Sequence, residues 1–178
     1  MATTTKQRTA AAGRSSEGKS RTSASGTDAL SKLKSDHDGV KKLFAKYEKS
    51  KDDMSPTEKE AIVAEICNEL TVHTQIEEEI FYPAVREVAD DDLDELLDEA
   101  AVEHTGAKDL VAQLDGASAS DDLYDAKVTV LGENVKHHAA EEEDKMFPKV
   151  RKTDIDLKAL GEQLIQRAEE LKSDVAVA

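Results

Sequence analysis

One phrase occurs twice in this chain: a histidine, a glutamate four residues later, and a proline ten residues after the histidine. Residues 73–83 read HTQIEEEIFYP and residues 138–148 read HAAEEEDKMFP. On an α-helix, residues four apart lie on one face, about 6 Å apart along the axis. Any fold of this chain must therefore place two histidine–glutamate pairs, each projecting from one side of a helix.

Apolar residues recur at steps of three and four from residue 28 onward, the spacing that predicts amphipathic helices. Ser55, Pro56 and Glu58 form a helix-start signal with a capping box. Asp115-Gly116 predicts a helix end, and Ser120 predicts the cap of the next helix. The stripes predicted to face the core are Leu30, Leu33, His37, Val40, Phe44 and Tyr47; Ile62, Ile66, Leu70, His73, Glu77, Ile80 and Ala84; Leu93, Leu97, Ala100, His104, Ala107, Val111 and Leu114; Tyr124, Val128, Leu131, Val135, His138, Glu142 and Met146; and Leu157, Leu160, Leu164, Ala168 and Leu171.

These stripes predict an all-α fold: an antiparallel up-down-up-down four-helix bundle with a short C-terminal helix. We expect the bundle at 28–152, a C-terminal amphipathic helix and tail at 153–178, and a disordered, basic Ser/Thr-rich tail at 1–27, with a transit peptide as the alternative for the tail. No apolar run approaches the roughly 20 residues that cross a bilayer. We therefore expect a cytoplasmic protein without membrane contact.

The second half of the chain repeats the first. An H-x-G-x-K-x-L pattern begins at His37 and again at His104, and each copy precedes one H-x-x-x-E phrase. Each half thus supplies one helix with a lone histidine and one helix with a histidine–glutamate pair. Six polar residues lie on apolar stripes, where leucine or isoleucine is the usual choice: His37, His73, Glu77, His104, His138 and Glu142.

These six residues predict a buried metal site. Burying one such group without a partner costs about a few kcal/mol, and six exceed what the roughly 5–15 kcal/mol of a domain can tolerate. A single histidine on an apolar face is usually a hydrogen-bonded core residue, but four histidines and two glutamates at matched spacing are not explained in that way. Imidazole with carboxylate suits iron, manganese or zinc, and two carboxylates suit a dinuclear centre.

Residues beside the six are assigned outside the site. His138 continues the stripe through Val135, whereas His137 lies on the polar face of its helix. The same reasoning selects Glu77 and Glu142 over the acids next to them.

Other nearby residues have simpler interpretations. Lys41 and Lys108 either line the site or extend along the surface. Cys67 is interpreted as a small core residue, and a single cysteine excludes an intrachain disulfide. Four large residues are expected to cap the metal layer with apolar bulk: Phe81, Tyr82, Met146 and Phe147.

The constellation resembles the hemerythrin family, in particular its bacterial-type branch with the HHE cation-binding domain. His37, H73-TQI-E77, His104 and H138-AAE-E142 match the H…HxxxE…H…HxxxE signature, over about residues 28–150. The resemblance implies an antiparallel four-helix bundle that holds two non-haem iron ions with an oxo or hydroxo bridge; manganese or zinc is the less expected metal. It also implies a ligand set, in which His37 and His73 bind one iron, His104 and His138 bind the other, and Glu77 and Glu142 bridge the two.

Two positions depart from the oxygen carriers of that family. The carriers have a histidine where this chain has Lys108, and a bridging aspartate where it has Glu143. Reversible oxygen transport is therefore not the expected function. The resemblance favours binding of O₂, NO or a related small ligand for sensing, storage or scavenging, in stress or iron homeostasis. Decomposition of hydrogen peroxide is the alternative, and a plain helical interaction module is the alternative without metal.

The net charge of −15 is unevenly distributed. Residues 1–27 contain five Lys/Arg and one Glu, a net of +4, so residues 28–178 carry −19. Such an acidic body repels a phosphate backbone. We therefore do not expect the folded domain to bind nucleic acid, and the partner of the basic tail is left open.

Overall fold

Five helices form the described part of the chain. The structure is a computed structural model that describes residues 1–2 and 27–175, and no strand occurs among them. Helix α1 spans Ala29–Ser50, α3 spans Asp91–Leu114 and α5 spans Leu157–Val175. Helix α2 comprises Pro56–Ile76, a π-helical turn Glu77–Phe81 and a last turn Tyr82–Arg86; helix α4 comprises Tyr124–Glu141, a π-helical turn Glu142–Met146 and a last turn Phe147–Val150. The all-α prediction is confirmed for these residues, while the predicted disorder of the tail falls almost wholly outside them.

Local sequence signals set most of the helix ends. The predicted capping box is present: the Ser55 hydroxyl accepts from the Glu58 N–H, and the Glu58 carboxylate accepts from the Ser55 N–H. Gly116 follows α3 with φ +69°, as a glycine stop requires. The predicted cap at Ser120 is wrong, since α4 begins at Tyr124.

Ser120 does not cap a helix because it belongs to a separate turn. The Ser118 N–H donates to the Asp121 carboxylate, and the Ser120 N–H donates to the Ser118 hydroxyl. Leu123 then enters α4 with φ +68°, a left-handed conformation that is unfavourable for leucine.

The π-helical turns change which residues face the core. Each begins at the glutamate of an H-x-x-x-E phrase and holds one residue more than an α-helical turn, so the helix downstream is rotated by one position. In α2 this leaves Ile80 and Ala84 only half-buried, contrary to the predicted stripe, and buries Tyr82 and Val85 instead. Val111 in α3, a helix without a π-helical turn, was also predicted to be buried but is half-buried.

Helices α1 to α4 pack in a closed ring, in which α1 contacts α2 and α4, and α3 contacts the same two helices. Helix α5 lies across α1 and α2 and buries Leu160, Leu164 and Ala168 against them. The interior consists of two apolar clusters, one around Leu33 and Phe81 and one around Phe44 and Leu131. Between these clusters lies a layer of polar side chains. No helix of the described part is long and apolar enough to cross a membrane.

Candidate metal centre

The polar layer consists of the residues singled out by the repeat. One lone histidine comes from α1 and one from α3, and one histidine–glutamate pair comes from each of α2 and α4. All six side chains are buried: His37, His73, Glu77, His104, His138 and Glu142. The structure therefore brings together every residue that the sequence assigned to the site.

The four imidazoles face one another in two pairs. The Nε2 atoms of His37 and His73 lie 3.1 Å apart, and those of His104 and His138 lie 3.2 Å apart. Each pair joins one lone histidine to the histidine of an H-x-x-x-E phrase. Two ligands at right angles on one ion, with bonds of about 2.1 Å, lie about 3 Å apart. The spacing of each pair therefore suits a single ion.

Each carboxylate lies between the two pairs. Glu77 Oε2 is 3.2 Å from His73 Nε2 and 3.4 Å from His104 Nε2. Glu142 Oε2 is 3.3 Å from His37 Nε2 and 3.7 Å from His138 Nε2. Each glutamate thus approaches one histidine of each pair.

The layer contains buried polar atoms without hydrogen-bond partners. Both carboxylate oxygens of Glu77, one of Glu142 and the Nδ1 of His73 are orphaned among the described residues. Leaving a buried polar group unsatisfied costs about 1–3 kcal/mol, and more when it is charged. Cations placed among these atoms would satisfy the oxygens, so the residues fit a metal centre.

An acid on a neighbouring helix faces the outer nitrogen of every imidazole. His37 Nδ1 lies 3.1 Å from Glu143, and His104 Nδ1 lies 3.0 Å from Glu78. His138 Nδ1 lies 2.8 Å from Glu103, whereas His73 Nδ1 lies 3.6 Å from Asp36, beyond hydrogen-bond distance. A carboxylate at Nδ1 fixes the ring orientation and makes Nε2 the atom that faces a metal.

These outer acids follow the internal repeat. Asp36 and Glu103 immediately precede the lone histidines, and Glu78 and Glu143 immediately follow the inward glutamates. The sequence excluded Glu78 and Glu143 from the inner layer correctly. It gave only a general expectation that neighbouring acids could act from outside, and the pairing of each acid with one histidine is visible only in the fold.

Lys41 and Lys108 do not line the inner layer. Lys41 donates to Glu143 at 2.9 Å, and Lys108 donates to Glu78 at 2.7 Å and 2.8 Å. Each lysine therefore holds the acid that orients a lone histidine. The interpretation of these residues as surface lysines is correct, with the addition that their ammonium groups bind the outer acids.

The electrostatics separate the two glutamates of the metal-free layer. Burial, and then the charge of Glu142, raises the pKa of Glu77 well above its usual range. Burial alone would raise the pKa of Glu142 too, but the approach of His37 and the charge of His138 hold it at about 2. The pKa values of the two carboxyls are thus moved in opposite directions, as expected for two buried acids that share a site.

Burial also lowers the pKa of His73, and it lowers the pKa of His104 to about 4. Burial opposes protonation of His138 as well, but the hydrogen bond with Glu103 and the charge of Glu142 raise its pKa. Neutral imidazoles at His73 and His104 have the protonation state that a metal ligand needs.

Tyr82 has a polar role that the sequence did not reveal. Its hydroxyl donates to Glu142 Oε1 at 2.9 Å and lies 3.3 Å from His104 Nε2. Burial, together with the charges of Glu77 and Glu142, raises the pKa of Tyr82, so the phenol stays protonated. The equivalent position in the second half is Phe147, which stacks on His37 and has no donor. The two halves of the site are therefore chemically unequal.

A small cavity adjoins the histidines on the side opposite Tyr82. Its volume is about 20 Å³, enough for one water-sized molecule. One apolar side chain from each of the four helices lines it, together with the histidines and the polar residues of their surroundings: Val40, Leu70, Ala107 and Val135; His37, His73, His104 and His138; and Asp36, Thr74, Glu103 and Asn134.

Comparison with known proteins agrees with this geometry. The hemerythrin HHE cation-binding domain matches residues 28–150, which is more than half of the chain. The chain belongs to the hemerythrin HHE cation-binding family. The crystal structure of a hemerythrin HHE cation-binding domain-containing protein from Mycobacterium kansasii superposes with a TM-score of 0.67, at 27% identity, over 84% of this chain and 90% of the other. The helical fold is thus the fold of a hemerythrin-like relative.

A curated relative is a DNA nickase from Nostoc sp., which is 31% identical over 120 residues. The match covers 67% of this chain but 32% of the nickase. The chain thus spans about a third of the length of that protein, and the similarity concerns the part that they share. The comparisons establish the HHE domain, and the structure shows its buried His/Glu cluster.

Proposed function

We propose that the six inward residues hold two non-haem iron ions, and that the centre binds O₂, NO or a related small ligand. His37 and His73 would hold one ion, His104 and His138 the other, and Glu77 and Glu142 would lie between them. The observation that carries this proposal is the sharing of each carboxylate between the two histidine pairs, at 3.2–3.7 Å. Bound iron supplies redox chemistry and open coordination positions, which the protein side chains lack.

The surrounding residues suit a site for a small ligand. The cavity beside the histidines admits about one small molecule, and its apolar walls at Val40 and Leu70 keep bulk water away. Three of the four outer acids hydrogen-bond an imidazole and hold it in place. This arrangement favours sensing, storage or scavenging of a small ligand over the turnover of a large substrate.

The metal content of the purified protein tests the proposal. We expect two iron ions per chain after aerobic purification, with an absorption band of a bridged di-iron centre; manganese or zinc would appear in the same elemental analysis. Glu77→Gln should lower the metal content. Glu79→Gln is the matched control, because Glu79 lies in the same acidic run but faces Arg167 at the surface. A wild-type chain that takes up well under one ion, with unchanged stability in chelator, would contradict the proposal and favour a plain helical interaction module.

Decomposition of hydrogen peroxide is the second candidate, and Tyr82 favours it. Disproportionation of two peroxides to O₂ and two waters needs protons moved at the site, and the Tyr82 hydroxyl lies beside Glu142 and His104. The test is O₂ release from peroxide by the iron-loaded protein and by Glu142→Ala and His104→Ala. If iron-loaded wild-type protein consumes peroxide no faster than metal-free protein, the enzymatic function is excluded.

Three further proposals concern the whole chain. The ring of α1 to α4 is proposed to be an antiparallel up-down-up-down bundle at 28–152, with 153–178 as a separate C-terminal element. The net charge of −19 on residues 28–178 supports the proposal that this part does not bind nucleic acid. A gel-shift assay at low salt tests it, and a shifted duplex would contradict it. A cytoplasmic location is proposed as well.

A further inference from the structure

Two outer faces of the ring, α1–α2 and α3–α4, differ although the sequence repeat makes them equivalent. On the α1–α2 face, helix α5 covers the positions just before His73 and Glu77, which are Val72 and Ile76, both buried. On the α3–α4 face, the equivalent positions are His137 and Glu141. His137 is 67% exposed. One face is therefore apolar and sealed, and the other is polar and open.

His137, Glu103 and Glu141 form a cluster with metal-ligand chemistry on the open face. Each offers one ligand atom, and the three atoms lie within 4.8 Å of one another. Imidazole with two carboxylates suits a divalent first-row transition-metal ion. His137 is the exposed member of the five histidines of the chain, since the other four lie in the buried layer.

Glu103 connects this surface cluster to the buried layer. One carboxylate oxygen lies 3.3 Å from His137 Nε2, and the other lies 2.8 Å from His138 Nδ1. A cavity of about 10 Å³ lies behind the cluster, bordered by Glu103 and Glu141 on one side and by His138 and Glu142 on the other. The packing between the surface cluster and the buried layer is thus incomplete at this point.

An acidic groove of about 860 Å³ leads to the cluster along α3 and α4. Seven carboxylates line it against one lysine: Asp91, Asp94, Glu95, Asp98, Glu99, Glu103, Glu141 and Lys145. Arg86, outside the groove, binds Asp94 and Asp98, and Lys145 binds Glu141. The remaining excess of negative charge concentrates cations at the surface cluster.

We propose that His137, Glu103 and Glu141 capture a divalent transition-metal ion and pass it to the buried layer through the α3–α4 face. The proposal rests on the proposed metal-binding function of that layer. Lys145 occupies the Glu141 carboxylate in the absence of an ion and is displaced by one. Helix α5 covers the α1–α2 face, so uptake is expected through the α3–α4 face, where the surface cluster lies.

The rate of metal uptake tests this proposal. Metal-free protein is mixed with Co²⁺, and the visible absorption of the bound ion is followed with time. His137→Ala should take up the ion about tenfold more slowly. Its final content, measured after desalting has removed weakly bound surface ions, should equal that of wild type. Lys145→Gln should take it up faster than wild type, because it frees Glu141. Glu141→Gln should take up the ion more slowly than wild type. Glu162→Gln on α5 removes the same charge far from the cluster and is the control that should leave the uptake rate unchanged.

Two results would overturn the proposal: an unchanged uptake rate in His137→Ala, or a lowered final content in that variant, which would make His137 a holding residue. A titration separates this outcome from failure of the buried centre. In Glu77→Gln/Glu142→Gln, one Co²⁺ should still bind weakly, and the added His137→Ala change should abolish that binding. If His137→Ala abolishes this weak binding but the buried layer of wild type takes up no ion, the proposed function is refuted and the surface site is supported. No His137-dependent binding would refute the surface site itself.

Discussion

At the scale of single residues, each histidine of the layer has a neighbour at both ring nitrogens, and three of the four are hydrogen-bonded at Nδ1. Nε2 faces the other histidine of its pair, and Nδ1 faces an acid on a neighbouring helix. Two of those acids are themselves bound by a lysine that lies four residues after a lone histidine, as Lys41 binds Glu143 and Lys108 binds Glu78. The lysines of the H-x-x-x-K spacing therefore bind the outer acids and do not line the buried layer.

Tyr82 is the residue that distinguishes the two halves of the site, and its hydroxyl can be removed with little change in shape. Tyr82→Phe leaves Glu142 Oε1 buried without its donor, which should lower the free energy of unfolding of the metal-free protein by about 1–3 kcal/mol. The helix should still fold, since the equivalent Phe147 is accommodated in the second half. Urea unfolding of the two proteins in chelator measures the difference.

The matched control for Tyr82→Phe is Tyr124→Phe. Tyr124 is also a buried tyrosine, but it lies in the apolar cluster away from the layer. If both variants lose the same free energy of unfolding, the hydrogen bond from Tyr82 to Glu142 does not stabilise the metal-free protein.

At the scale of helices, the sequence predicted the elements well and the register only in part. The stripes of α1 and α4 are buried as predicted. The steps of three and four in α4 match an α-helix as far as the start of its π-helical turn, and the last predicted residue, Met146, is the final residue of that turn. The stripe of α2 fails after Glu77, since the π-helical turn adds a residue that periodicity cannot reveal. That same turn directs Tyr82 inward, which is why its hydrogen bond was missed. The six inward residues precede or begin these turns, so their positions could be predicted.

The contact of α5 with the start of α1 depends on a glycine. A Cβ at Gly161 would lie 2.5 Å from the Thr27 carbonyl oxygen, whereas a Cβ at Gly39 would meet nothing within 4 Å. Gly161→Ala should therefore destabilise the protein by about 1–3 kcal/mol. Gly39→Ala should stabilise it by about 0.5–1 kcal/mol, because alanine is favoured over glycine inside a helix. Thermal unfolding of both variants measures the change in stability. A change in the same direction for both variants would contradict the described docking of α5.

The first residue before α4 stores backbone strain. Leu123 has φ +68° and is 70% exposed, so its side chain gives little packing in return. Leu123→Asn should raise the free energy of unfolding by about 1 kcal/mol, because asparagine tolerates the left-handed conformation. Leu123→Ala keeps the strained backbone and should leave the free energy of unfolding unchanged. Chemical denaturation distinguishes the two, and a gain in the alanine variant would attribute the effect to the exposed leucine side chain instead.

At the scale of the whole molecule, a polar layer interrupts an otherwise apolar interior. The residues above and below it form separate clusters, so the layer divides the core where continuous packing would be most stabilising. Such an arrangement is retained for function at a cost in stability. The acids at the rim and the charge of −19 on residues 28–178 add to the repulsion within the metal-free protein. Bound cations would offset both costs, so stability and metal binding should be tightly linked.

This linkage can be tested at Glu77, whose two oxygens are both orphaned. Methionine has nearly the same length and no polar atoms, so metal-free Glu77→Met should be more stable than metal-free wild type by about 1–3 kcal/mol. With iron added, wild type should be the more stable of the two proteins. Iron that binds the native state stabilises it by mass action, and it binds the variant less tightly because the variant lacks the Glu77 carboxylate. Thermal unfolding with chelator and with iron provides the four values. A variant that is less stable than wild type without metal would show that Glu77 supports the fold, and would contradict a layer built for cations.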